Sequence, residues 1–474
     1  MDEVDPNTTE LHAAFARVHA ASRAEPYPDW PRRRDRLRRL DALVRGHEAE
    51  LADAIGADFG HRPAAETQAL ELLPVREALR HALRRTPRWM RARRAPVSAL
   101  FWPARARLLP QPLGVVGIVA PWNYPLHLSA LPLVSAFAAG NRALLKLSEY
   151  SPHFGACFAA LARAEFDADE LAVFHGDARQ AAAFGALAFD HLLFTGSGAV
   201  GRRVMAAAAT QLVPVTLELG GKSPAVLAPG YDVDHAALRI VHGKLLNAGQ
   251  TCVAPDHVLL PRAARDAFVA ACRRAARQLH PAGLAGADYC SIVDARQYAR
   301  QCALLDEARA AGVELHALFD GEQRDDARHR LAPVLCLDPP PALALMREEI
   351  FGPLLPVIGY DAVDDALARI NAGDRPLALY WFDDDRARVE RVLRATHAGG
   401  VTLNDTLLHV AQDTLPFGGV GASGTGAYHG RWGFERFSHL KPVLAQPRLG
   451  LGALVRPPYG GRFDALTALL RRLR

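Results

Sequence analysis

Residues 191–205, His191-Leu-Leu-Phe-Thr-Gly196-Ser197-Gly198-Ala199-Val200-Gly201-Arg-Arg-Val-Met205, hold the reading on which the fold turns. A short apolar strand runs into a glycine turn and then into a helical pattern. The spacing G-x-G-x-x-G in that context is the dinucleotide-binding form. Its glycines let the backbone turn tightly, and free N–H groups at the helix start suit a pyrophosphate. Glycine turns before helices are common, so the motif gains its weight from its surroundings.

Those surroundings alternate between strand and helix from Gly114 onward. GVVGIVA, RALLKL, LAVFH, HLLFT and VPVTLEL read as strands with helices between them. A second series follows: PAVLA, a helix over 232–247, DHVLLP, helices over 262–279 and 295–311, then PLLPVIGY, LALYWF and GVTLN. Such alternation predicts βαβ units and parallel sheets. The fold class is therefore α/β, with two parallel-sheet domains in tandem, the first Rossmann-like. Residues 10–58 and 65–92 precede them as helices, with Leu37, Leu40, Leu43 and Val44 at helical spacing.

Residues 84–107 carry eight Arg and no acid, interleaved with Trp89, Phe101 and Trp102. Pro87, Pro96 and Pro103 should break any long helix there. An extended arm packed on a second subunit is the expectation, ahead of a nucleic-acid or membrane patch. The net charge of +5 over 474 residues argues against a dedicated nucleic-acid binder. The tail from Arg448 has six Arg and one Asp and ends in an amphipathic stretch, Phe463, Leu466, Leu469, Leu470 and Leu473. A surface or dimer-packing helix is expected there, with peripheral membrane contact as the minor alternative.

Six cysteines are too few for a disulfide framework, and none has the C-x-x-C spacing of a zinc or redox site. The start is acidic and lacks an apolar signal core, and no run approaches the ~18 apolar residues of a membrane span. The expectation is a reduced, cytoplasmic protein without a metal.

Three segments carry reactive side chains beside turn formers: Ala120-Pro-Trp122-Asn123-Tyr-Pro125, Leu217-Glu218-Leu219-Gly-Gly-Lys222 and Asn247-Ala-Gly-Gln-Thr-Cys252. A lone cysteine is usually a small buried hydrophobe, and the other five keep that reading. Cys252 differs because it follows a helical pattern that yields to Gly249-Gln-Thr. A thiolate adds to an aldehyde carbonyl, and the resulting oxyanion needs fixed donors. The Asn123 amide with the Cys252 backbone N–H would supply them. Hydride loss to a nicotinamide leaves a thioester, whose hydrolysis needs a base, and Glu218 is the candidate. The dinucleotide rule asks for an acid about 20 residues past the glycines. Glu218 lies 17 past Gly201, but its place is with the chemistry. Glu149, in Leu144-Leu-Lys146-Leu-Ser148-Glu149, ends an earlier strand and can accept from ribose hydroxyls while Lys146 donates. A solvated loop pair is the alternative for these two.

Together these residues resemble the NAD(P)-dependent aldehyde dehydrogenase superfamily, whose signatures stand here as APWNYP, VTLELGGKSP, NAGQTC, EEIFGP and LPFGGVGASG, in order from 120 to 424. The interval of 34 positions from Glu218 to Cys252 is the superfamily's usual one. The likeness is strongest to the class-three branch and, within it, to bacterial coniferyl aldehyde dehydrogenases. It is carried by DFGHR at 58–62, NAGQTCVAPD at 247–256, NDTLLH at 404–409, YHGRWGFERFSH at 428–439 and RPPY at 456–459.

The resemblance implies Cys252 as nucleophile, Glu218 as base and Asn123 as oxyanion donor. It implies Lys146 and Glu149 on the adenosine ribose, with Ser148 beside them. Gly196, Ser197, Gly198, Ala199, Val200 and Gly201 would face the pyrophosphate. Glu349 and Phe351 would position the nicotinamide side, and Trp122 and Leu219 complete the cofactor set. Residues 1–90 and 113–217 would form the dinucleotide-binding domain and 218–404 the catalytic domain. Residues 91–112 and 405–474 would be oligomerisation and bridging segments of a homodimer. Two positions depart from the superfamily: Leu147 stands where proline is usual, and Gly198 where threonine is commoner. Glu149 favours NAD, with NADP also possible. The intact LELGGK argues against a CoA-acylating enzyme, which needs no hydrolytic base, and the filled reactive positions argue against a non-catalytic scaffold. The expected substrate is an aldehyde, either an aromatic enal such as coniferaldehyde or a medium-chain aliphatic one.

Overall fold

Each of the five apolar runs between Gly114 and Leu219 forms a strand of one parallel sheet. The computed structural model describes residues 6–98, 101–448 and 456–472. In spatial order the sheet runs Val215–Leu219, His191–Gly196, Val115–Val119, Arg142–Lys146, Leu171–Phe174. A two-residue strand, Gly424–Thr425, adds antiparallel to its Val215 edge. The runs are apolar throughout because helices cover both faces, so neither side of a strand meets water.

The second series forms a seven-stranded sheet in the order Glu314–Ala317, Val334–Leu337, Leu354–Tyr360, His257–Pro261, Pro224–Leu227, Ala378–Phe382, Gly400–Leu403. All neighbours are parallel except the first pair. The two strands at the antiparallel edge escape sequence reading. Each is only four residues long, and the Glu-Leu-His-Ala alternation of Glu314–Ala317 is too short to stand out from a loop.

Helix His127–Ala139 lies buried at every position, under the Asn123 segment. Its end groups are satisfied by side chains from the N-terminal helices. Glu71 accepts from Leu126 N–H (2.7 Å) and His127 N–H (3.1 Å) at the start. Arg33 donates to the Ala138 and Ala139 carbonyls (3.1 and 2.7 Å) at the end. These are the donors and acceptors a helix leaves unpaired, and pairing them fixes the helix beneath the site. Leu37, Leu40, Leu43 and Val44 are fully buried, as their spacing predicts.

The Arg-rich segment and a late strand make a third sheet, antiparallel, of Arg93–Ala95, Arg105–Pro112 and Ser438–Ala445. Pro87 does not break its helix. It sits in the last turns of Leu73–Trp89, where the chain was about to leave the helix. The amphipathic tail forms helix Gly461–Arg472, with Leu469 exposed; Leu473 lies outside the described residues. Among the described residues no helix is long and apolar enough to cross a membrane.

Candidate active site

The C-terminal ends of the six-stranded sheet's parallel strands share one edge, the place where such sheets collect ligands. That edge carries Trp122 and Asn123 after Val119, Lys146 to Glu149, the Gly196 turn, and Glu218 with Leu219. Cys252 and Glu349 come from the opposite kind of edge. Both lie on loops that lead into strands of the second sheet, His257–Pro261 and Leu354–Tyr360. The site is thus a C-terminal edge facing an N-terminal one. Only the first half follows the parallel-sheet rule by which the sequence places reactive residues at element ends.

The Cys252 loop is strained and tightly held. The helix predicted to 247 ends at Leu245, and Asn247 (φ 52°) and Ala248 (φ 52°) are left-handed, followed by Gly249 (φ 80°). For residues with a Cβ this costs about 1–2 kcal/mol each, and it persists where surrounding bonds over-determine it. Asn247 Nδ2 donates to the carbonyls of Asn123 (3.0 Å) and Gln250 (3.2 Å). Gln250 Nε2 donates to the carbonyls of Asn247 (2.9 Å) and Ser291 (3.1 Å), while its Oε1 accepts from Val293 N–H (3.0 Å). The Tyr380 hydroxyl donates to the Val253 carbonyl.

Asn123 is held against this loop. Its amide donates to the Gln250 carbonyl (3.1 Å), and Tyr124 meets Thr251 through their hydroxyls (2.6 Å). Behind it, Arg62 pairs with Glu71 at 2.8 Å, both side chains fully buried, and donates to the Asn123 carbonyl at 3.1 Å. The Arg62 guanidinium lies over the rings of Phe59 (5.1 Å) and Tyr124 (4.8 Å). This pair escaped the residue-by-residue reading; the Arg62 of DFGHR was the only sign of it.

Cys252 is partly exposed. Burial pushes its thiol up to about 12, with Glu349 and then Glu218 adding to the rise. The backbone N–H groups of Cys252 and Val253 act in the opposite sense. The turn dipoles are present, but desolvation outweighs them, so the resting thiol is protonated. Glu218 is 3% exposed, and neither carboxylate oxygen makes a hydrogen bond of normal geometry. Burial raises it well above the usual carboxylate range, only partly offset by the Gly419 N–H and then Arg436. Tyr428 is fully buried, its hydroxyl is unpartnered, and both Glu218 and Cys252 act on it. Its place in YHGRWG gave no chemical signal, because only the return of the chain after Gly424 brings it to the site.

Glu349 is pushed up to about 8 by burial, then by Asp256. A carboxyl raised above its unfolded value of 4.5 stabilises the fold at low pH, and that contribution fades as pH rises through the folded value. The melting temperature of the native protein relative to Glu349→Gln should therefore fall between about pH 5 and pH 9. A pH-independent difference in thermal melts would contradict this.

The residues fit a dinucleotide. Helix Gly198–Ala209 starts in the predicted turn, with Ser197 as its N-cap accepting from Val200 N–H (3.4 Å). A Cβ on Gly201 would meet Leu219 Cδ2 at 2.7 Å, so the third glycine permits helix–strand packing. A Cβ on Gly198 would meet only Arg202, at 3.9 Å, so a larger residue fits there. Beside the turn, a cleft of about 400 Å³ is lined by Gly198, Arg202, Gly220, Gly221 and Glu349. The Glu349 carboxylate fills the space a Cβ would take on Gly220. Phe351, itself left-handed at φ 50°, packs edge-on to Trp122 at 5.4 Å. Lys146 is buried, with its ammonium on the carbonyls of Leu147 and Gly176 (both 2.7 Å), and Glu149 is exposed two residues past Leu147.

Comparison with known proteins agrees with this geometry. The family model described as "Aldehyde dehydrogenase family" matches residues 5–443. The chain is 48% identical over 458 residues to a Pseudomonas aeruginosa protein described as a probable coniferyl aldehyde dehydrogenase, covering 96% of this chain and 95% of the relative. It is 42% identical over 465 residues to the coniferyl aldehyde dehydrogenase of Pseudomonas sp. strain HR199, covering 97% and 96%. The substrate-bound state of Staphylococcus aureus AldH superposes with a TM-score of 0.92 at 34% identity, covering 97% of this chain and 99% of that one. The chain belongs to the aldehyde dehydrogenase family. It is an NAD(P)-dependent oxidoreductase that converts aldehydes to carboxylic acids.

Proposed function

We propose that Cys252 is the nucleophile, Glu218 the hydrolytic base and Asn123 the oxyanion donor, acting on an aromatic enal of the coniferaldehyde type. The observation that carries this reading is the convergence of the strained Cys252 loop, the buried Glu218 and the anchored Asn123 where the two sheet edges face each other. Cys252 Sγ loses its proton to solvent and adds to the carbonyl carbon. The carbonyl oxygen takes the charge and is met by the Asn123 amide and the Cys252 N–H. A bound nicotinamide dinucleotide supplies the hydride acceptor that turns this adduct into a Cys252 thioester. Glu218 then takes a proton from water as the water oxygen attacks the thioester carbon, and the Cys252 thiolate departs. Lys146, Ser148 and Glu149 hold the adenosine ribose, residues 196–201 the pyrophosphate, and Trp122, Leu219, Glu349 and Phe351 the nicotinamide side.

On the same reading residues 1–90 and 113–217 form the cofactor domain and 218–404 the catalytic domain. The strand carrying Glu218 belongs to the six-stranded sheet, so this acid stands at the crossing between them. Residues 91–112 and 405–474 serve a homodimer. The three-stranded sheet, built from both segments, supports that assignment. All six cysteines are free, which suits a reduced cytoplasm.

The substrate class is tested by NADH formation at 340 nm with coniferaldehyde, benzaldehyde and octanal in parallel, without CoA. Coniferaldehyde should give the highest kcat/KM, as it does for an enzyme shaped to its aryl propenal. A preference for octanal would reassign the pocket to aliphatic aldehydes, and turnover only with CoA would remove Glu218 from its role.

A further inference from the structure

The loop that carries Glu349 and Phe351 has no regular partner, and its carbonyls are taken up by side chains. Lys222 Nζ donates to the carbonyls of Leu345 (2.9 Å) and Glu348 (2.8 Å). Arg300 donates to Glu349 (2.6 Å) and Ile350 (2.8 Å). Gln301 Nε2 donates to Ile350 (2.6 Å) and Phe351 (3.3 Å). Opposite Lys222 stands Asp256, 4% exposed, whose Oδ1 accepts from Ile350 N–H at 2.9 Å. Its Oδ2 accepts from the Lys222 ammonium. A carboxylate buried this deeply is tolerated when it is paired and hydrogen-bonded. Lys222 is two residues past Gly220, and Asp256 is four past Cys252. One ion pair therefore ties together the Gly220 turn, the nucleophile loop and the Glu349 loop.

We propose that Lys222 and Asp256 are positioning residues that set where the Glu349 carboxylate stands over Gly220, and thereby set dinucleotide affinity. The inference rests on the reading of Glu349 as a cofactor-holding residue. Removing the ammonium leaves two loop carbonyls and a buried carboxylate without their donor. The loop then relaxes and Glu349 leaves its seat. The Cys252 loop keeps its own bonds through Asn247, Gln250 and Tyr380. The defect should therefore be confined to the cofactor.

The experiment compares Lys222→Met, Lys222→Arg and Glu349→Gln in the full-length protein. It reads the Kd of NADH by calorimetry, the KM of NAD against the KM of aldehyde, and cofactor-free hydrolysis of p-nitrophenyl acetate by Cys252. For Lys222→Met, NADH binding should weaken at least about tenfold, as small displacements of a positioned group do. The KM of NAD should rise in step, while the aldehyde KM and ester hydrolysis stay within about twofold of native. Lys222→Arg should recover part of the affinity. Unchanged NADH affinity in Lys222→Met, with Glu349→Gln weakened, overturns the positioning role alone. Unchanged affinity in Glu349→Gln overturns the reading beneath it. A joint loss of NADH binding and ester hydrolysis in Lys222→Met would make the pair a general structural one and also overturns the proposal. Should Lys222→Met fail to fold, Asp256→Asn carries the same test, because it keeps the acceptor for Ile350 N–H and removes the charge facing Lys222.

Discussion

Cys252→Ala should abolish aldehyde-dependent NADH formation, with a drop on the order of 10⁴-fold or more in kcat, as when a nucleophile is removed from a concerted set of groups. Cys252 is the only cysteine on the strained loop; Cys290 is buried against that loop with its Sγ on Asn247 Oδ1 (3.3 Å), Cys272 and Cys336 are buried elsewhere, and Cys157 and Cys302 lie on helices. On the proposed mechanism the covalent adduct from which hydride leaves forms on Cys252. Removing one partly exposed sulfur should leave melting temperature and NADH affinity close to native. Those two measurements separate lost chemistry from lost structure. Steady turnover by this variant at the native rate would sink the mechanism.

Glu218→Gln should slow steady turnover by about 10²–10⁴-fold, the usual contribution of a general base, yet leave the first turnover largely intact. On the proposed roles, thioester formation needs Cys252 and the oxyanion donors, and only the following hydrolysis needs Glu218. Rapid mixing should therefore show a burst of about one NADH per active site followed by a slow phase, as expected when an acyl-enzyme accumulates. Glu218 is buried, neither carboxylate oxygen makes a hydrogen bond of normal geometry, and burial raises it well above the usual carboxylate range. The amide is close to it in shape, and the fold should tolerate it. Equal loss of burst and steady rate would place Glu218 before hydride transfer and require another base. Tyr428, unpartnered beside both residues, would then be the first to test.

Much of the site was legible because its residues sit in short local patterns. The Gly196 turn needed only a strand, three spaced glycines and a helix, and the structure has all of them with Ser197 as the cap. Glu218, Asn123 and Cys252 stand out as candidates from residue type beside turn formers. Arg62, Glu71, Lys222, Asp256 and Tyr428 were not assigned roles from the residues. Arg62, Glu71, Lys222 and Asp256 act through partners distant in the chain, such as Arg62 on Asn123 and Asp256 on Ile350, and Tyr428 comes near Glu218 only in the folded chain. No local spacing encodes such a pair.

The sequence by itself determined the class of fold, the glycine turn and the candidate reactive groups, because strand periodicity, glycine backbone freedom and side-chain chemistry are local properties. Tertiary structure alone decided that the C-terminal edge of one sheet faces the N-terminal edge of the other, so that Glu218 and Cys252 meet. It also decided their protonation. The thiol has turn N–H groups to lower its pKa, yet burial and two neighbouring carboxyls raise it to about 12. Desolvation depends on everything packed around an atom, and that is set only when distant segments close over it.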